Sequence, residues 1–302
     1  MSTLSYGMTA CFDIFRHPVD VALVMNVANG YWLPILRRRG IPILTNVDGI
    51  EWDRAKWGRL AKRVFYTGAK LSAHFSTGLV FDAAAIANRW RREFKRDGVI
   101  IPYGGEPPVE ELPVEPGLTH RGYALFVARF VPENTVFEFL MAAEVLCQQY
   151  DVVMVGSSGY GGEIDAKVAD LAKTNSRFHW FGHISDDRRL DSLWQHAGAY
   201  FHGHSVGGTN PSLVQAMACG APIVARDTVF TREVLDDCAI FIPPQIEAIR
   251  SAIAQLLTDS DRQKSLSDRA QARARTHYTW EQVNEGYASA LRDLVSGSFV
   301  KS

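Results

Sequence analysis

The residues best placed to do chemistry lie in one stretch, His202-Gly-His-Ser-Val-Gly-Gly-Thr-Asn-Pro-Ser-Leu-Val-Gln-Ala-Met-Ala-Cys-Gly220. An apolar run leads into it and an amphipathic run leads out, so it reads as a strand, a glycine loop and the start of a helix. Asn210 suits the N-cap of that helix and Pro211 its first turn. Such a loop aims free backbone N–H groups, together with the positive end of a helix dipole, at whatever sits above it. A pyrophosphate fits that description, and Gly207 and Gly208 let the backbone come close to it. The alternative is a tight strand-to-helix turn that binds nothing.

The elements that must position this loop follow from short apolar runs alternating with amphipathic segments, the pattern of parallel α/β sheets. Strands are expected at Val21–Val27, Ile41–Asn46, Leu79–Phe81 and Val99–Ile101, with helices at Tyr31–Arg39, about Arg54–Phe75 and Ala83–Lys95. Five prolines and two glycines between Pro102 and Pro116 mark a linker. The alternation then restarts. Strands are expected at Tyr123–Ala128, Val152–Val155, Phe178–Phe181, Ala199–His202 and Pro222–Ala225. The intervening helices are expected at Asn134–Tyr150, Ile164–Lys173, Arg188–His196 and Pro211–Cys219, and helix runs from Ile246 to the end. The expected domains are residues 1–112 and 113–302, each doubly wound, with ligands at the carboxyl ends of the strands.

Composition narrows the classes. With 302 residues, 47% hydrophobic and 22% charged, the chain has the make-up of a soluble globular protein with room for two cores. A net charge of −1 gives no reason to expect nucleic acid. Through Leu112, 15 Lys and Arg stand against 11 Asp and Glu, four positive charges in excess; the remainder has 17 against 22, five negative in excess. That asymmetry suggests modules with different ligands. Cys11, Cys147, Cys219 and Cys238 have no metal-binding spacing and read as reduced, buried thiols. No signal peptide and no membrane-spanning run is apparent, so a cytoplasmic protein is expected.

The glycine stretch resembles the donor-binding motif of family 4 glycosyltransferases, which have the GT-B architecture of two facing Rossmann-like domains. Its Gly-Gly-Thr-Asn-Pro-Ser-Leu form is similar to a subgroup that includes bacterial rhamnosyltransferases of surface polysaccharides. Three other stretches agree: Val127-Ala-Arg-Phe-Val-Pro-Glu-Asn134, Asn46-Val-Asp-Gly-Ile-Glu-Trp-Asp-Arg-Ala-Lys-Trp57 and Phe230-Thr-Arg-Glu-Val234. The likeness spans about Val21 to Leu294. It implies a retaining hexosyltransferase whose co-substrate is a nucleoside-diphosphate sugar and whose acceptor is a saccharide or a lipid-linked saccharide. No cofactor and no metal are expected.

The resemblance implies a role for each matching residue. Arg129 neutralises the donor diphosphate. Gly207, Gly208, Thr209 and Asn210 contact phosphate and sugar, and His183 and Ile184 lie against the base. Asp48 faces the acceptor as a catalytic residue, and Glu233 with Arg232 holds a sugar hydroxyl or a phosphate. For Arg129 the plain alternative is a surface arginine, and for Asp48 a loop cap or ion-pair partner. Two positions depart from the family. Its paired glutamates fall on Gly207 and Gln215, and the second normally accepts from the donor ribose. Gln215 loses that charge, at a cost of about 1–2 kcal/mol, roughly tenfold in affinity. Asn134 stands where many relatives have lysine.

The resemblance further implies strands ahead of Val21 that about 20 residues cannot supply, so an incomplete N-terminal domain is expected. Strand Val21–Val27 is then an edge, covered by the N-terminal helix, by another copy or by a partner chain. The basic run Arg54, Lys56, Arg59, Lys62 and Arg63 reads either as a solvated helix face or as a patch meeting the inner face of a membrane. Two rivals to the transferase reading remain. One is an inactive or partner-dependent shortened GT-B protein, and the other is a GT-B epimerase, for which no acid/base pair is evident.

Overall fold

Each apolar run becomes a parallel strand, and the strands divide between two sheets. The computed structural model describes residues 3–299. The first unit, residues 1–102 with 206–208 and 281–302, opens with α1 (Thr3–Asp13) and β1 (Ala22–Met25). It continues through α2 (Leu33–Arg38), β2 (Ile43–Asn46), α3 (Arg59–Phe75), β3 (Gly78–Phe81), α4 (Ala84–Phe94) and β4 (Val99–Ile100). The sheet order is β1-β2-β3-β4, all parallel.

β2 is buried on both faces. Ile43 joins a core with Leu33, Leu36 and Cys11, and Leu44 joins one with Val80, Ile101 and Leu294 on the opposite side. β1 keeps only half of this pattern. Ala22 is buried, but Leu23 and Met25 are 44% and 47% exposed, because β1 is the outermost strand and among the described residues pairs with β2 alone. The expected Val21–Val27 strand is accordingly shorter, and residues 27–32 turn as a 3-10 helix.

Helix α3 begins at Arg59, five residues later than the periodicity predicts. The reason lies in the preceding loop. The Glu51 carboxylate takes Arg54 Nε at 2.6 Å and the Trp57 indole N–H at 2.8 Å, which folds residues 51–57 back on themselves. Trp52 anchors the same loop edge-on against Tyr66, Trp90 and Phe94, with ring centroids 5.7–6.3 Å apart. Arg54, Lys56 and Trp57 are therefore loop residues and not part of a basic helix.

The second unit comprises residues 103–205 and 209–280. In chain order it runs β5 (Tyr123–Val127), α5 (Val136–Leu146), β6 (Asp151–Val155), α6 (Glu163–Thr174), β7 (Phe178–Trp180), α7 (Asp187–His196) and β8 (Ala199–His202). It ends with α8 (Pro211–Ala218), β9 (Ile223–Arg226), α9 (Val229–Leu235), β10 (Ala239–Ile242), α10 (Ile246–Leu257) and α11 (Ser260–His277). Helix α12 (Trp280–Ser296) returns to the first unit from Glu281 onward. The order β10-β9-β8-β5-β6-β7, all parallel, is a doubly wound sheet whose strand order reverses between β5 and β8. Phe230–Val234, read from sequence as a loop, lies within α9, where Thr228 and Thr231 cap the helix reciprocally.

The strand pair at the reversal is held by its own core. Phe139 of α5 stacks on Phe126 of β5 at 4.7 Å and on Phe201 of β8 at 5.4 Å. Aromatic pairs of this kind contribute about 0.5–1.5 kcal/mol each beyond burial. The proline-rich segment belongs to this unit from Tyr103 onward. Gly105 N–H donates to Tyr278 O at 2.8 Å, Leu112 N–H to Gln195 Oε1 at 2.9 Å, and Ser192 Oγ to Pro113 O at 2.6 Å. All four cysteines are buried and free.

Candidate functional site

The carboxyl ends of the second sheet carry the candidate residues in strand order. Arg129 follows β5, Gly156 follows β6, His183 and Ile184 follow β7, the glycine loop follows β8, and Glu233 sits on α9 after β9. Since β5 and β8 are neighbours, with Phe126 opposite Phe201, the Arg129 loop and the glycine loop flank the point where the strand order reverses. In open α/β sheets that crevice is where ligands bind.

Hydrogen bonds lock the two loops together. Ser205 N–H donates to Glu133 O at 2.9 Å, and the Thr135 hydroxyl donates to Gly203 O while accepting from Arg226 Nη1 at 3.0 Å. Asn134, buried at 6%, donates its side-chain amide to Arg129 O at 2.9 Å and so fixes the main chain beneath the arginine. The Arg129 side chain itself is exposed and has no ion-pair partner among the described residues. A cation held at its backbone and free at its guanidinium is prepared for a ligand anion.

Across the crevice, Asn210 caps α8 as its type and position imply, its side-chain oxygen accepting from Ser212 N–H at 3.0 Å and from the Ser212 hydroxyl at 2.7 Å. Thr209 is buried. His202, the last residue of β8, is fully enclosed and stacked on His204 at 4.3 Å. Burial, and then the neighbouring His204, hold its pKa well below the usual histidine value, so it stands under the loop as a neutral ring. His183 is exposed, whereas Ile184 packs on the core below. Arg232 is committed to a bidentate pair with Asp227, at 2.6 and 2.7 Å, and Glu233 accepts at its carbonyl from Arg273 at 3.0 Å.

Gln215 has partners that the sequence did not suggest. Its amide nitrogen donates to Glu106 O and to Asp191 Oδ1, both at 2.8 Å, and its oxygen accepts from Glu106 N–H at 3.1 Å. The side chain thus staples the 104–109 segment to α8 and orients a carboxylate from α7. Burial first, and then Asp187, raise the pKa of Asp191, while the bonds from Gln215 and Cys219 act the other way. Asp191 Oδ2 has no protein partner among the described residues. A cleft of about 680 Å³ opens here, lined by Asp191, Gln215, Leu190, Pro211, Ser212 and Trp280 among others. Nothing in the spacing of Asp191 singles it out; its orientation comes from a glutamine 24 residues away.

In the first unit, a second polar group gathers at the carboxyl ends of β1, β2 and β3. Asp48 takes φ +60° and Asn26 φ +70°, a left-handed conformation that costs a non-glycine residue energy. The two residues stabilise each other. Asn26 Nδ2 donates to Asp48 Oδ2 at 2.9 Å, and Asp48 N–H donates to Asn46 Oδ1 at 2.8 Å. Asn46 Nδ2 in turn donates to the Tyr287 oxygen at 2.5 Å, and the phenol pKa is raised first by burial. Gly207 and Gly208 group with this unit. A Cβ on Gly208 would fall 2.1 Å from Asp82 Oδ1, so no side chain fits there.

Comparison with known proteins agrees with this geometry. The family model described as "Glycosyl transferases group 1" matches residues 110–273. The O-antigen chain mannosyltransferase B of Escherichia coli is 27% identical over 196 residues, 62% of this chain and 50% of that protein, so the chain spans about half the length of this relative. Among solved structures, sucrose-phosphate synthase from Thermosynechococcus elongatus superposes with a TM-score of 0.79 at 17% identity, covering 97% of this chain and 78% of that one. Anabaena HepE, solved in complex with UDP and glucose, gives a TM-score of 0.74 at 15% identity, covering 96% and 83%. The structural likenesses establish the GT-B fold of two parallel-sheet, Rossmann-like domains. With more than half of its residues matched by the family model, the chain belongs to the glycosyl transferases of group 1.

Proposed function

We propose that the protein transfers a hexose, rhamnose or another, from a nucleoside-diphosphate sugar to a saccharide or lipid-linked acceptor, with retention at the anomeric carbon. The observation that carries this is the pairing of the Arg129 loop with the glycine loop at the reversal point of the second sheet. The glycine loop ahead of α8 receives the diphosphate, since the first-turn amides of the helix are taken up by Asn210, and Arg129 stabilises the charge that develops as the nucleoside diphosphate leaves. Asp48, fixed by Asn26, orients the acceptor hydroxyl, and catalysis rests on positioning and charge stabilisation. The likeness to an O-antigen mannosyltransferase supports a surface polysaccharide as the product.

The nucleoside sugar meets Asp191 and not Gln215. Its hydroxyls donate to the open Oδ2 while Gln215 holds Oδ1. A thermal-shift screen of nucleoside diphosphates should single out one base by several degrees, and calorimetry should then show Asp191→Asn binding it about tenfold more weakly. Equal binding by the variant removes Asp191 from the donor site, and no nucleotide binding by the wild type removes the transferase reading.

The second reading is a donor-binding protein without turnover. It is favoured by the commitment of Gln215 and Asn134 to internal bonds. Donor hydrolysis by the purified chain separates the two readings. No helix among the described residues is long and apolar enough to cross a membrane. Leu60, 77% exposed between Arg59 and Arg63 at the start of α3, supports peripheral contact with an anionic lipid surface at the inner face of the membrane. Co-sedimentation with anionic liposomes at low salt checks that contact, and recovery of the protein in the supernatant removes it.

A further inference from the structure

The loop that carries Asp48 holds a cation to which the proposed reaction gives no role. Glu51 is 6% exposed, and a carboxylate so placed needs donors. The Trp57 indole N–H donates to one oxygen at 2.8 Å, and Arg54 Nε forms an ion pair with the other at 2.6 Å without the alignment of a hydrogen bond. A guanidinium usually meets a carboxylate through two parallel N–H bonds. Here Trp57 occupies the second oxygen, and Arg54 meets the first through Nε by charge alone. Neither terminal nitrogen of Arg54 has a protein partner among the described residues. Glu51 and Trp57 therefore hold the arginine by its stem side and leave the fork free.

The fork lies over bare backbone. Arg54 Nη2 is 3.0 Å from where a Cβ on Gly49 would stand, and Gly207 Cα is 3.7 Å from the same point, all within the first unit. Gly207 has φ +116°, and nothing lies within 4 Å of its own missing Cβ, so the space on that side is open. Lys56 stands three residues before Arg59 in the same basic run, its ammonium over the Trp57 ring at 4.8 Å. A planar fork above two glycines matches a tetrahedral oxyanion better than a neutral hydroxyl.

We infer that Arg54 is a phosphate-binding residue, its free guanidinium edge receiving a phosphate group of a bound substrate. The transferase reading enters only in naming the source, which is either the donor diphosphate or a phosphate carried by the acceptor. Glu51 and Trp57 act as positioning residues for it.

The test uses the full chain and its Arg54→Gln and Arg54→Lys variants. Calorimetry measures the nucleoside diphosphate that most stabilises the wild type, and separately farnesyl diphosphate as a stand-in for a phosphorylated lipid acceptor. A fall of about tenfold or more in nucleotide affinity for Arg54→Gln, smaller for Arg54→Lys, assigns the phosphate to the donor. Unchanged nucleotide binding with loss of farnesyl diphosphate binding assigns it to the acceptor. Should Arg54→Gln melt early because Glu51 is left without its cation, the Glu51→Gln/Arg54→Gln pair is measured in its place. Affinities within twofold of wild type for both probes, in a folded variant, overturn the inference, as does a wild type that binds neither. A wild type that binds farnesyl diphosphate through Arg54 but no nucleotide keeps the inference and sinks the transferase reading.

Discussion

Replacing Arg129 with alanine is expected to lower sugar transfer by about 10²–10³-fold and to leave the melting temperature unchanged within about 1 °C. The two halves of this expectation come from different atoms. The part of Arg129 that the fold uses is its carbonyl, which accepts from Asn134 Nδ2 and from Val131 N–H, both at 2.9 Å, and alanine retains it. The guanidinium is exposed and unpaired among the described residues, so its removal leaves no buried charge behind. On the proposed reaction, what is lost is a cation beside the leaving diphosphate, where charge grows toward the transition state. The turnover number at saturating donor should therefore fall more than nucleotide affinity does. Arg129→Lys should recover part of the loss, since it restores charge without the fork. Activity of Arg129→Ala within threefold of wild type would mean that the diphosphate does not sit at this crevice.

The largest effect on stability is expected at Gly156. Its φ is +123°, and a Cβ there would lie 1.9 Å from Ala128 O. Around it the ends of β5 and β6 are stitched together, Ala128 N–H to Val155 O at 3.1 Å and Phe130 N–H to Ser157 O at 3.0 Å. Gly156 N–H itself donates to Gly182 O at 2.6 Å. Alanine must either push β5 away or rotate its own backbone, and both cost energy in a packed core. We expect Gly156→Ala to destabilise the second unit by about 3 kcal/mol, roughly 8 °C in Tm. Because Ala128 precedes Arg129, transfer should fall as well. A variant with wild-type Tm and wild-type activity would show that the two strand ends are free to separate.

The contrast between these residues and Gln215 explains how far the sequence could be read. The glycine loop stands at a strand-to-helix junction, where residue type and local geometry coincide, so spacing points to it, whereas Arg129 is reached only through the family resemblance. The alternation of apolar runs also predicts two parallel sheets. What escapes is whatever depends on distant partners. Gln215 meets Glu106 across 109 residues, and no local pattern records that, or the carboxylate it steadies on α7. Arg54 looks like the first residue of α3 because the basic and apolar periodicity runs through it. The helix starts later only because the Glu51 side chain claims Arg54 and Trp57. Helix α9 is seven residues long, too short for its periodicity to outweigh a loop reading. Leu23 and Met25 look like core from their type, and only the position of β1 at the margin of its sheet exposes them.

The ties from residues 105, 112 and 113 to α7 and Tyr278, with Glu106 bonded twice to Gln215, have a practical corollary. A fragment of the C-terminal half begun at residue 114 would lose every one of those bonds. It would leave the Gln215 amide without Glu106 and open one wall of the cleft beside α8. A fragment begun at Tyr103 keeps them, and is the piece in which the proposed nucleotide binding is to be measured apart from the first unit.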